Sequence, residues 1–255
     1  MTAVRVAFIS AVQAAISPAT AAFAAEFAGA EVWNVLDDRL LSDASARGGL
    51  DEALTARMCR LIAHAIDGGA DAVLLTCSLY ASVAHEKTTA RLPVLAPDES
   101  AFAQLVADGY NRVLVVASFD SAAQDSAARL RAVLADASVA TIVESVVVAD
   151  ARPAADAGDK TALERALINH LAPLALNFDA VFLAQYSLAP AGRTLSAALG
   201  LPVLSGPVSA ARHLAHLLAH PVTDEAPTPA PDHRPHQPAT SGPVADTLGS
   251  LESPN

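Results

Sequence analysis

Cysteine is scarce: the 255 residues hold two, Cys59 inside a helical pattern and Cys77 at the end of an apolar run. A disulfide framework does not organise such a chain, and free thiols in a reducing, cytoplasmic setting are the simpler expectation. Positive charge is scarce too, with 16 Lys and Arg against 27 Asp and Glu and a formal net charge of −11. That excludes a basic surface able to follow a nucleic-acid backbone. No apolar run reaches the roughly 18 uninterrupted residues of a membrane-spanning helix, so no membrane partner is expected. Neither a Gly-x-Gly-x-x-Gly turn nor a phosphate loop is present, which argues against a nucleotide-binding module. Arg5, followed by an apolar run and alanines, has the look of a secretory signal. Residues 4–10 match 111–118 too closely for that reading, because their removal would delete a strand that has a counterpart.

What the chain does have is apolar substance and repetition. Hydrophobic residues make up 53% and mean hydropathy is +0.36, enough to bury a large core in one or two domains. Short β-branched runs alternate with Ala- and Leu-rich helical patterns, and strands are expected over 4–10, 31–36, 72–76, 94–95, 112–117, 139–148, 180–184 and 203–204. Leu50, Leu54, Met58, Leu61, Ile62 and Ala65 recur at helical spacing, 122–134 and 161–176 behave likewise, and Gly68-Gly69 ends a helix. This is a parallel-sheet α/β pattern.

The two halves repeat each other. Arg5-Val6, Asp71-Ala72-Val73 and Leu92-Pro93-Val94-Leu95 recur as Arg112-Val113, Asp179-Ala180-Val181 and Leu201-Pro202-Val203-Leu204, at offsets of 107 to 109 residues. Near-constant displacement implies two pseudo-symmetric, flavodoxin-like α/β lobes with parallel sheets whose strand ends face a shared cleft. The first lobe is expected to comprise 1–96 plus 205–220 and the second 97–204. The chain is expected to cross between them at 94–95, with a helical pattern over 209–218 returning to cover the first lobe. Residues 221–255 hold eight of the 16 prolines and no sustained apolar period, the signature of a disordered tail.

Chemistry concentrates where the run 71–75 stops at Thr76-Cys77-Ser78. Moving a proton at a carbon next to a carboxylate needs an acid or base and donors for an enolate-like charge. A thiol at a helix N-terminus qualifies, since the helix dipole and free amides are expected to lower its pKa. The same amides, with the hydroxyls of Ser10, Ser78, Ser118 and Ser121, can bind a carboxylate without lysine or arginine. Each feature also has a plainer reading. Cys is a frequent core residue, and Cys59, on an apolar helical stripe, belongs to the core. His213, His216 and His220 share a helical face but have no acidic or thiol neighbour in sequence, so a solvated helix end is expected rather than a metal site. Asp37-Asp38 reads as a cap or turn, or as part of the substrate site, and Tyr186 as packing or chemistry.

These motifs give the chain a resemblance to the aspartate/glutamate racemase superfamily over residues 4–220. Thr76-Cys77-Ser78 resembles that family's first thiol motif, and Ala117-Ser118-Phe119-Asp120-Ser121 its second-lobe carboxylate loop. The relatives also include hydantoin racemases, maleate isomerases and arylmalonate decarboxylases. The resemblance implies a cofactor-independent enzyme, with no metal, that transfers a proton α to a carboxylate by isomerisation or decarboxylation. It implies Cys77 as acid/base or nucleophile, and Ser10, Thr76, Ser78, Ser118, Ser121, Gln185 and Ser187 around a small carboxylate substrate. A homo-oligomer is compatible with it. Two departures stand out: Ser10-Ala11 replaces an Asp-Ser pair, and Gln185 stands where the second thiol is expected. Inverting a stereocentre needs an acid and a base on opposite faces of the carbon, and an amide supplies neither. The alternative is a small-carboxylate binding protein that has lost turnover.

Overall fold

The computed structural model describes residues 3–89 and 91–219. The reading of 221–255 as a tail, and His220, lie outside the described residues. Within them, every sheet pairing is parallel and the two halves build the same object twice. The first sheet has the order β2-β1-β3-β4, from β1 (Val4–Ser10), β2 (Ala30–Leu36), β3 (Ala72–Leu75) and β4 (Val94–Leu95). The second has the order β6-β5-β7-β8, from β5 (Arg112–Ala117), β6 (Ile142–Val147), β7 (Ala180–Leu183) and β8 (Val203–Ser205). β6 is shorter than the apolar run 139–148 suggests. Ser138 takes a left-handed turn with φ of 57° and Val139 N–H still bonds Leu134 C=O at 2.9 Å, so the helix before it consumes the start of that run.

The repeated motifs are the joints of each sheet. Asp71 carboxylate accepts the Arg5 amide at 2.8 Å, and Asp179 accepts the amides of Asn111 and Arg112 at 2.9 Å. Pro93 C=O accepts from Val73 and Pro202 C=O from Val181, both at 2.9 Å. The Asp and Leu-Pro of the repeat thus fix where neighbouring strands begin, which sets register and hence which side chains face the core.

Helices cover both faces of each sheet. On one face of the first lie α2 (Leu40–Arg47), α3 (Glu52–Asp67) and α4 (Ala81–Lys87), packed on Ala7, Ile9, Val73 and Leu75. Asp51 caps α3 by accepting the Leu54 amide at 2.8 Å, and Leu54, Met58, Ile62 and Ala65 point inward. At its end Gly68 lies so close to Trp33 that a Cβ would sit 2.4 Å from the ring, and Gly69 takes φ of 82°. The other face packs α1 (Ile16–Glu26) and α10 (Gly206–Ala219) against Val6, Phe8 and Leu74. In the second lobe α5 (Glu99–Asp108) and α6 (Asp120–Asp136) cover Val113, Val115 and Phe182. α7 (Ala151–Asp156), α8 (Lys160–Leu171) and α9 (Gly192–Leu199) cover the opposite face.

The last helix of each repeat is exchanged. β4 pairs with β3 as the edge strand of the first sheet, so the crossing falls at 96–98 rather than within Val94–Leu95. α5 then packs on the second sheet, while α10, which follows β8, packs on the first. The two helices touch through a reciprocal pair of bonds, Ser100 Oγ to His213 Nδ1 at 2.9 Å and Ser209 Oγ to Gln104 Oε1 at 3.2 Å. His213 therefore belongs to this joint. Among the described residues no cluster of three or more metal-ligating side chains forms, and no helix is long and apolar enough to cross a membrane.

Candidate active site

In a parallel sheet every strand ends on the same edge, so the residues just past β1, β3, β5 and β7 collect there. Pairing of Ile9 with Leu75 brings Ser10 beside Thr76, whose hydroxyl donates to Ser10 Oγ at 2.9 Å in a buried contact. Cys77 follows, half-buried, and opens a single 3-10 turn, Ser78–Tyr80, before α4. Pairing of Val116 with Leu183 does the same in the second lobe. Ser118 donates both its amide (2.6 Å) and its hydroxyl (3.0 Å) to Gln185 Oε1. Each lobe thus presents a bonded pair at the ends of its two central strands, Ser10/Thr76 and Ser118/Gln185, and Cys77 has Gln185 as its counterpart in the repeat.

The two edges meet. The turn Gln13–Ala15 after β1 packs on the turn Tyr186–Ala191 after β7, and Tyr186 reaches into the first-lobe core and donates its hydroxyl to Pro97 C=O at 3.1 Å. Burial and the charge of Asp98 push the Tyr186 phenol well above its ordinary value, so it stays a neutral packing group. The chemical reading of Tyr186 gives way to packing. Ser78 is half-buried in the turn after Cys77, and Ser121 is exposed in the first turn of α6. Ser187 lines a cavity of about 470 Å³ together with Ala14, Ser17 and Pro18 and residues 154–160. Cys59 is half-buried against the first-lobe core, in the same exposure range as Cys77.

The thiol itself departs from expectation. Burial raises the Cys77 pKa, the Leu79 amide pulls it down, and Asp98 pushes it up further. This runs against the expected lowering: desolvation is the largest influence on the thiol, and the turn that Cys77 opens is a 3-10 helix of only three residues. Asp98 is the neighbour that sequence reading missed. It is buried, its carboxylate meets Arg129 at 2.7 Å, and burial raises its own pKa against the pull of that guanidinium. Arg129 also pairs with Asp125 at 2.9 Å and lies over the Phe102 ring. Asp98 precedes α5 without a side-chain capping bond, and its burial is what marks it.

Asp37 is held by an ion pair. Arg57 clasps its two carboxylate oxygens at 2.6 and 2.7 Å and holds Asp43 at 2.9 Å, while the Asp37 amide bonds Ser10 C=O at 3.0 Å. Asp38 is exposed.

The glutamate racemase of Bacillus anthracis superposes on the chain with a TM-score of 0.62 at 12% identity, covering 85% of this chain and 82% of the other. An allantoin racemase from Klebsiella pneumoniae gives 0.61 at 19% identity over 85% and 88%. The fold is that of the aspartate/glutamate racemase superfamily. Unliganded arylmalonate decarboxylase shares it too, with a TM-score of 0.56 at 20% identity over 83% of this chain and 92% of that one. No protein-family model matches the sequence, and no curated protein does.

Proposed function

We propose that the chain is a cofactor-independent enzyme of the racemase superfamily that delivers a proton to one face of a carbon α to a carboxylate, with Cys77 as the acid. The carrying observation is the asymmetry of the two strand ends. One bears a thiol that burial holds protonated near neutrality, and the other bears an amide whose oxygen is engaged by Ser118. Such a pair suits a lyase better than a racemase. In the lyase reaction the bond from the α-carbon to one carboxylate breaks and carbon dioxide leaves, its bonding pair remaining as an enolate of the second carboxylate. The Sγ–H bond then breaks as the new C–H bond forms, and water returns a proton to the thiolate. The hydroxyls of Ser10, Ser78 and Ser121 supply neutral donors for the retained carboxylate and Gln185 has its Nε2–H2 group left to offer, while Thr76 and Ser118 orient Ser10 and Gln185 by donating to them. Ser187 serves the same substrate only if the 470 Å³ cavity joins the cleft.

The test is a turnover screen of substituted malonates, maleate, hydantoins and acidic amino acids, followed by carbon dioxide release and α-proton exchange. Turnover that disappears in Cys77→Ala is expected. Binding of these compounds without turnover by the native protein would favour the carboxylate-binding reading instead.

A further inference from the structure

A second, larger cavity of about 920 Å³ is walled by α1 and α10, which pack on the first sheet, and by α9 and β8 of the second lobe. None of Ser10, Thr76, Cys77, Ser118 and Gln185 lines it. Its volume is within the range of small-molecule sites. The repeat shows why the space is open. In the first lobe Arg129 of α6 reaches Asp98 at 2.7 Å and lies over the Phe102 ring of α5. At the repeat offset from Arg129 stand Ala21 and Ala22 of α1, which line the cavity, and at that from Asp98 stands Gly206. The pair that fills this position in one lobe has no counterpart in the other.

The lining carries charge of one sign. Of its four charged residues three are cations, Lys160, Arg193 and Arg212, in a chain whose net charge is −11. Lys160 lies 3.7 Å from Glu164, which also accepts the Thr194 hydroxyl at 2.6 Å. Each lobe contributes one guanidinium, Arg212 from α10 and Arg193 from α9, and a single carboxylate, Glu26, answers both. Arg212 Nε donates to Glu26 at 2.8 Å, and that bond, with the charges of Arg212 and then Arg193, holds the Glu26 carboxyl below its ordinary range against the opposing effect of burial. Arg193 itself makes no hydrogen bond to another described residue. Ser205, at the end of β8, is 2% exposed and lines the same cavity, and its hydroxyl has no hydrogen-bond partner among the described residues. A buried hydroxyl left without a partner is costly, and a ligand oxygen in the cavity would supply one.

We infer that this cavity binds a small polyanion, a phosphate ester or a polycarboxylate, with Arg193 and Arg212 on its charged groups and the Ser205 hydroxyl donating to it. The site is separate from the strand-end cleft and does not depend on the chemistry proposed there. The probes are citrate, inorganic pyrophosphate and acetate, titrated calorimetrically at matched low ionic strength into the native protein, Arg193→Gln and Ser205→Ala. Arg193 is exposed, so its variant is expected to fold, and circular dichroism checks both. Citrate or pyrophosphate is expected to bind the native protein on the order of tenfold or more tighter than acetate. Arg193→Gln is expected to weaken that binding about tenfold, the loss of a charge-assisted bond, and Ser205→Ala to weaken it by a smaller factor. Tight binding of either probe supports the inference, and the tighter of the two distinguishes a phosphate ester from a polycarboxylate. Acetate binding as tightly as both probes, or an affinity that Arg193→Gln leaves unchanged, overturns it; the second result would put the anion elsewhere, the strand-end cleft included.

Discussion

Cys77 joins two opposing effects, and their balance decides its role. Desolvation and the Asp98 charge outweigh the Leu79 amide, so the thiol titrates above the ordinary value of about 8.5. A group that works as an acid is active below its pKa. The kcat/KM of a decarboxylation substrate is therefore expected to stay level through neutral pH and to fall only on an alkaline limb above the usual thiol range. Asp98→Asn removes the largest charged contribution raising that pKa and should bring the limb to lower pH. A rate that climbs with pH over the same interval would mark Cys77 as a thiolate base. That Cys77 stands beside hydroxyl residues at the end of a buried strand is legible from Thr76-Cys77-Ser78 closing an apolar run, but the direction of its pKa shift is not. Nothing local to the motif announces that Asp98, 21 positions away, will be buried beside it.

At the scale of elements, the outcome turns on a junction that the repeat reveals only in hindsight. Pro97 and Gly206 are 109 positions apart, the repeat offset, and stand where the chain leaves β4 and β8. A Cβ on Gly206 would lie 2.4 Å from Pro97 C=O, 2.7 Å from the Tyr186 ring and 3.1 Å from the Asp98 carboxylate. Two of these neighbours are backbone or a buried ring and have nowhere to go. Gly206→Ala is expected to cost about 1–3 kcal/mol, the range of core overpacking, measured by urea unfolding. An unchanged midpoint would mean that the crossings do not touch as described. Strand positions were readable because aliphatic runs are bounded by Asp and Leu-Pro motifs that turn out to be hydrogen-bonding joints. The exchange of α5 and α10 between lobes was half-readable. The return of 209–218 follows from a helix left over after β8, whereas the reciprocal Ser100–His213 and Ser209–Gln104 bonds depend on packing between residues over 100 positions apart.

For the whole molecule, the pseudo-symmetry of the scaffold and the asymmetry of its chemistry belong to one argument. Duplicated lobes bring two equivalent strand ends to one cleft, a geometry suited to an acid and a base on opposite faces of a carbon. Here one of those ends is Gln185, held by Ser118 at 2.6 and 3.0 Å, and the nearby phenol of Tyr186 is buried and bonded to Pro97. The two lobes repeat the same scaffold, and their equivalent strand ends differ, a thiol on one and an amide on the other. The central claim is proton delivery from the Cys77 side alone, and it is tested most directly by decarboxylation of a prochiral 2-aryl-2-alkylmalonate in deuterium oxide, with the product resolved by chiral chromatography and mass spectrometry. The account expects a single product enantiomer carrying one deuterium at the α-carbon, and no product with Cys77→Ala. Labelled product in both configurations, or enzyme-catalysed conversion of one labelled enantiomer into the other, would contradict it.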